Sequence, residues 1–408
     1  MEINLKAEDS RRIIESLRSG VPSRLIGSFF SSSRRNLLDK IDRELDTTIS
    51  SSKSRGRIIT GKYGEGKTHL LNTVFSMAEK RDMVVTLLPL SKETPFNNFP
   101  ILYKKMIENT YLPGYVTPDI FREMEKISAN SEKGRDFLSF AQNSLNTDRL
   151  YFVLKAYLNS RDSDDHFILQ SDLAGDTAPA SLIRSFYSKY CHETMKSRTR
   201  FIKSRDILDY FRFMSHMFRV LGYSGWVVLF DESELIGRLG KQSRMKAYRH
   251  INYFLNPGPQ TESVYSLFAF TSSFAEDVIQ GKHDMDNARL LPDDEPARKE
   301  IITALTEIEN AQELKALSDT ELAKLMENII SVYETAFSWK CPVERDQIIR
   351  KCIKIGFLLR TKIRATIEYL DELYLYGKAA ENIQASEVLM GEDLSHEDVS
   401  LEGLFDQI

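Results

Sequence analysis

The sequence predicts an α/β fold in which a parallel sheet carries a long helical insertion and is followed by an all-α region. Three observations lead there. A short apolar run at 57–60 is followed by a Gly-rich turn, a helical stretch at 67–79 and a second apolar run at 83–88, the order of a parallel βαβ unit. Two further strand-like runs, 226–231 and 264–271, come much later, after a stretch of about 91–223 in which helical periodicity dominates. From Pro292 onward the pattern is helical throughout.

The elements follow in order. Residues 9–19 read as a helix with Ile13, Ile14 and Leu17 on one face, closed by Gly20 and a Val21-Pro22 turn. The Ser-rich 31–33 precedes an amphipathic helix at 34–45, with Leu37, Leu38, Ile41 and Leu45 in register, and 50–54 is a surface loop. Within the insertion, 150–158 and 207–221 are the clearest helices. Between the third and fourth strands a helix at 244–255 is ended by Asn256-Pro257-Gly258. Helices are expected near 297–317, 319–337, 344–355 and 362–376, with Leu290-Leu291-Pro292 as a short last strand leading into them. The expected organisation is an N-terminal helical segment, 1–50, packing on the core, then the sheet domain, 51–291, with its insertion at about 91–223. A helical lid, 292–385, and a tail, 386–408, complete it.

Composition bounds the function. The 408 residues, 42% apolar and 28% charged, are ordinary for a globular protein of two or three units, on a prior of roughly 150 residues per domain. No apolar stretch approaches a membrane span and the acidic start resembles no signal peptide, so a soluble cytoplasmic protein is expected. Cys191, Cys341 and Cys352 have neither disulfide nor metal spacing. The net charge of -4 conceals an asymmetry. From Glu381 to the end there are eight acids and no Lys or Arg, leaving the rest of the chain at +4.

Gly61-Lys62-Tyr63-Gly64-Glu65-Gly66-Lys67-Thr68 fits the pattern Gly, four residues, Gly-Lys-Ser/Thr. Between a strand and a helix, such a turn aims backbone N–H groups and the helix's positive end at phosphates, and its glycines let the chain wrap closely. The expected ATP-binding set is Gly61, Tyr63, Gly64, Glu65, Gly66, Lys67, Thr68 and His69, with Lys67 on the terminal phosphates and the Thr68 hydroxyl on Mg2+. The apolar run 226–230 ends in Asp231 and Glu232, the form of a strand that delivers a metal-holding carboxylate, Asp231, and a general base, Glu232. The next strand ends in Thr271-Ser272-Ser273. Thr271 is expected to help hold the attacking water, as a polar residue does at this point in AAA+ ATPases.

Phosphoryl transfer also calls for a mobile cation. Arg289 is the choice for an arginine finger, with Arg244 and Arg249 as rivals, and Arg360 and Arg364 are placed where a lid residue reaches back to the nucleotide. Lys340, Arg345, Arg350, Lys351, Lys354, Arg360, Lys362 and Arg364 form a basic cluster in the expected lid. It suits nucleic acid, an acidic partner or plain solvation.

Together these motifs resemble the AAA+/STAND-like division of P-loop NTPases. The segment from Arg11 to Arg24, RRIIESLRSGVPSR, is similar to the opening of the BrxD-like ATP-binding proteins of BREX phage-defence systems, relatives of which accompany a helicase in the Shango system. The likeness continues through Gly61 to Thr68, through Phe230-Asp231-Glu232-Ser233-Glu234 and through 360–373. Ile26 to Phe30 departs from the Gly-Arg turn that related ATPases use near adenine, so base recognition stays unassigned. The resemblance implies an ATP-driven role in antiviral defence with partners such as a helicase, and leaves DNA binding and homo-oligomerisation open. Two alternatives stand beside an ATP-hydrolysing enzyme: a slow ATP-gated switch that recruits effectors, and an origin-recognition-like DNA loader. A small-molecule kinase has no use for the long insertion.

Overall fold

The computed structural model describes residues 6–19, 34–292, 295–356 and 358–378. The expected Gly20–Pro22 turn, the Ser-rich 31–33, the 26–30 departure and the acidic tail therefore lie outside the described residues. The chain divides into two compact units, one from Pro22–Glu321 and one joining Met1–Val21 to Leu322–Ile408.

The first unit is built on a mixed sheet of order β3-β2-β4-β5-β1-β6. Its strands are β1 (Arg55–Gly61), β2 (Met83–Pro89), β3 (Thr110–Tyr111), β4 (Gly225–Asp231), β5 (Val264–Thr271) and β6 (Gln312–Glu313). All neighbours pair in parallel except β3, which runs antiparallel to β2. Successive residues of the central strands serve opposite faces. Trp226, Val228, Phe230, Phe268 and Phe270 join one apolar core, while Val227, Leu229, Tyr265, Leu267 and Ala269 join the other. Every residue of β4 is buried, which explains why these strands read as unbroken apolar runs and not as alternations.

Two helices lie against the second of those cores, α2 (Arg35–Ser51) through Leu37, Leu38, Ile41 and Leu45, and α3 (Lys67–Glu79) through Leu70, Leu71, Val74 and Phe75. The first core is larger because the insertion feeds it. That insertion contributes α4 (Phe99–Glu108), α5 (Glu132–Asn143), α6 (Arg149–Asn159), α7 (Ser163–Leu173), α8 (Ala180–Cys191) and α9 (Lys203–Leu221). The helices α10 (Lys241–Leu255), α11 (Asp284–Arg289) and α12 (Pro296–Glu309) complete the unit.

The boundary expected at 291–294 moves. Ile301, Ala304, Leu305 and Ile308 of α12 bury themselves in the sheet's own core, and the chain then adds β6 beside β1. Leu290 to Pro292 form no strand; α11 ends at Arg289 and Leu290 is 81% exposed. The last strand is β6, too short for its pattern to show in sequence.

The second unit holds α1 (Ala7–Ser19), α13 (Asp319–Phe337) from Leu322 onward, α14 (Arg345–Ile353) and α15 (Leu359–Tyr376). The expected packing of the whole of 1–50 on the sheet domain is thereby corrected for α1. Its Arg18 fork donates to both oxygens of Asp371 in α15, at 3.1 and 2.7 Å, and its Arg11 Nε donates to the Ala336 carbonyl at 2.8 Å. Asp371 also accepts from the Tyr333 hydroxyl at 2.7 Å. With Ile13, Ile14 and Leu17 buried, α1 is a structural part of the helical unit. Among the described residues no helix is long and apolar enough to cross a membrane, and the three cysteines are free.

Candidate functional site

The chemistry converges at the carboxyl ends of β1, β4 and β5. Parallel register sets Gly61 opposite Thr271, and the Ser272 N–H donates to the Gly61 carbonyl at 3.3 Å. After Gly61 the chain turns through Gly64 (φ 76°) and Gly66 (φ 88°), conformations that cost an L-residue about 1–2 kcal/mol, and enters α3 at Lys67. Gly66 is the N-cap of α3 and offers no side chain to its first N–H groups, so this end keeps its positive pole open for an anion. Space at Gly61 is tight. A Cβ there would sit 3.1 Å from that of Leu314, which follows β6.

The loop is braced from within and from below. The Glu65 carboxylate accepts from the Lys62 N–H at 2.9 Å, and Lys67 Nζ, on a buried side chain, donates to the Gly61 carbonyl at 3.1 Å. Beneath, Arg34 donates to the carbonyls of Glu65, of Gly66 at 3.4 Å and of Lys315 at 3.5 Å. Its own backbone N–H donates to Glu321 at 3.1 Å, and its Nε is buried without a partner. Burial lowers the pKa of this guanidinium, against the pull of Glu65 and Glu321. By taking the carbonyls, Arg34 orients the peptides of the turn so that their N–H groups face the other way. Sequence reading missed it, since nothing local ties residue 34 to residue 65.

The acidic strand end faces the same turn. The Asp231 carboxylate accepts from the Glu232 N–H at 3.0 Å and is stabilised by the nearby Thr68 hydroxyl. Burial raises its pKa, and the Thr68 hydroxyl and the Lys67 charge oppose that rise. Glu232 sits in the left-handed region at φ 55°, an uncommon state for a residue with a side chain. Its carboxyl is influenced by that of Glu234 nearby. Burial and the neighbouring Asp231 raise the Glu232 pKa, and burial pushes Glu234 up to about 7. Burial thus favours the protonated form of Glu234 more than that of an ordinary glutamate. Glu234 is the second residue missed in sequence, although it lies in the acidic string already noted.

The arginines disperse. Arg244 is buried, donating through Nε and Nη2 to Asp284 at 2.7 Å each, with Tyr248 on the same carboxylate at 2.8 Å. It is spent on structure, which corrects its standing as a finger. Arg249 pairs with Glu300 at 2.8 Å. Arg289 has 62% of its side chain exposed and lies 3.6 Å from Asp286 of its own helix. Arg360 stands in the first turn of α15 and Arg364 one turn later, both in the helical unit. Tyr63 is half-exposed on the turn, and His69 lies in the first turn of α3. Of the basic cluster, Arg345 pairs with Glu334 at 2.5 Å and Lys362 donates to the carbonyls of Ile353 and, at 2.9 Å, Gly356. These two are structural.

Fold and site together define an α/β protein whose polar groups gather where parallel sheets keep their ligands, outside the carboxyl ends of adjacent strands. The chain belongs to the family of BREX system ATP-binding protein BrxC/D, which it matches over residues 5–114 and 194–380. The resemblance drawn from the N-terminal segment, the Gly-rich turn and the acidic strand end is thereby borne out. As a member, the protein is an ATP-binding component of a phage-defence system. Residues 115–193, inside the insertion, lie outside the matched stretches. No match is found among curated proteins.

Proposed function

We propose that this protein is an Mg2+-dependent ATPase of the AAA+-like P-loop class, acting in phage defence beside DNA-processing partners such as a helicase. One observation carries the reading: Thr68 at the start of α3 and Lys67 beside it act on the buried Asp231 carboxylate at the end of β4, next to the glycine turn. A buried carboxylate whose pKa is raised by desolvation is relieved by a cation, so Thr68 and Asp231 fit Mg2+ as its would-be holders. When bound, the ion would neutralise charge on the nucleotide's phosphates.

The chain's own groups divide the remaining work. The N–H groups of the turn and the N-terminus of α3 bind the phosphates, and Lys67 leaves the Gly61 carbonyl for their terminal oxygens. Glu232 draws the proton from the attacking water, and Glu234 beside it helps position its carboxylate. Thr271, beside Gly61 in register, helps hold that water. Arg289, largely exposed, is available to the nucleotide of a second copy.

Two variants test this. Lys67→Ala loses ATP binding in isothermal titration. Glu232→Gln keeps it while kcat falls by at least ~100-fold, the usual contribution of a general base. Equal hydrolysis by wild type and Glu232→Gln would remove the assigned base. Full nucleotide binding by Lys67→Ala would remove the loop.

A further inference from the structure

The insertion carries a charged feature that the ATP site does not use. From the loop after α8 into the first turn of α9, residues 196–205 hold Lys196, Arg198, Arg200, Lys203 and Arg205, and no acid until Asp206. The segment up to Ile202 is neither helix nor sheet, yet it is fastened at several points. The Asp148 carboxylate accepts from the Ser197 hydroxyl at 2.8 Å, the Thr199 hydroxyl at 2.7 Å and the backbone N–H groups of Arg198 and Thr199. The Arg149 guanidinium lies 4.7 Å over the ring of Phe201. The Ile202 N–H donates to Asp206 at 2.7 Å.

This fastening sorts the side chains. Ser197 and Thr199 turn in toward Asp148, while Lys196, Arg198 and Arg200 alternate with them and are exposed, as is Lys203. Nearby carboxylates are already engaged. Glu193 is held by Lys155 at 2.9 Å and by the Tyr187 hydroxyl at 2.7 Å, and Asp206 by Arg205. Among the described residues Lys196, Arg198, Arg200 and Lys203 make no ion pair.

We propose that this pinned loop is a nucleic-acid-binding surface, with Lys196, Arg198, Arg200 and Lys203 set on successive phosphates of one strand. A cluster of exposed cations without base-reading groups fits a polymer with one charge per unit and carries no sequence preference. The surface is distinct from the ATP site and does not depend on hydrolysis.

The test is fluorescence anisotropy of the full chain, without nucleotide, on a labelled duplex of ~30 base pairs and on its single strand, between ~50 and ~200 mM salt. The wild type binds at least one of them with steep salt dependence. The fourfold variant Lys196→Gln, Arg198→Gln, Arg200→Gln, Lys203→Gln weakens binding at least tenfold and lowers the log–log salt slope by about three, near 0.9 per lost phosphate contact on duplex and 0.7 on single strand. Arg198→Gln and Arg200→Gln alone, which disturb the fold least, each lower the slope by about one. Asp148→Ala, which adds positive charge but releases the loop, weakens binding. The proposal is overturned by a wild type that binds neither probe or by a fourfold variant with unchanged affinity and slope. Tighter binding by Asp148→Ala overturns the fixed array. Displacement by poly-glutamate as effective as by polyphosphate overturns the phosphate assignment in favour of an acidic protein.

Discussion

Arg34 shows how much of a site can rest on one residue outside its motif. Its three carbonyl contacts orient a turn whose own sequence supplies only glycines and a lysine. Charge-assisted hydrogen bonds of this kind contribute about 1.5–3 kcal/mol each, so Arg34→Ala should raise the Kd for ATP by roughly tenfold or more in isothermal titration. Arg34→Lys, keeping charge but not the fork, should recover little. At Glu234 the expectation concerns pH. Its pKa near 7 stands above the ordinary 4.5, so the stability its proton supports is full at low pH and is lost as pH rises from about 4.5 through about 7. Glu234→Gln, neutral throughout, should melt a few degrees above the parent at pH 8, with the difference closing near pH 4.5; scanning calorimetry across that range is the check. Lys67, Thr68, Asp231 and Glu232 were legible because each lies in a short motif whose spacing is set by a strand or a helix start. Arg34 was not, because its role depends on a contact thirty-one residues away.

At the scale of elements, the sequence periodicities located β2, β4, β5, α3 and α13 to within a residue or two at each end. These are the segments whose apolar pattern runs long enough to declare a period. The two-residue strands β3 and β6 escaped, since they form only by pairing with β2 and β1. Element packing also reassigns Arg244, which joins α10 to α11 through Asp284 with Tyr248 as a third partner. Removing one member of a buried pair leaves an uncompensated charge, at a cost of about 3–5 kcal/mol. Arg244→Ala should therefore lower the urea midpoint markedly, whereas Arg289→Ala, on an exposed side chain, should leave it nearly unchanged while reducing ATP turnover. A loss of turnover by Arg289→Ala that is absent at concentrations where the protein is monomeric would mark the arginine as acting between copies.

For the whole molecule, the chain closes on itself in the helical unit, where α1 from the first twenty residues packs on α15 from the last fifty described. Arg18→Asp should destabilise that unit, Asp371→Arg likewise, and the double exchange should recover part of the loss; chemical denaturation of all three variants measures the recovery. The Tyr333 hydroxyl, also on Asp371, limits recovery, because arginine cannot accept its proton.

The sequence by itself determined the α/β class, the helical insertion, the glycine-rich turn between strand and helix, the acidic strand end and, through its opening segment, the family. All of these are local: they depend on a spacing along the chain, and spacing survives without a structure. The tertiary structure decided which arginines are buried in ion pairs and which are exposed, that α12 and β6 belong to the sheet unit, that α1 belongs to the helical one, and that Arg34 and Glu234 join the site. It also turned a run of basic residues into a fastened array, through the carboxylate of Asp148. Each of these depends on burial or on a partner distant in sequence, and no periodicity records which distant residue will neutralise a charge.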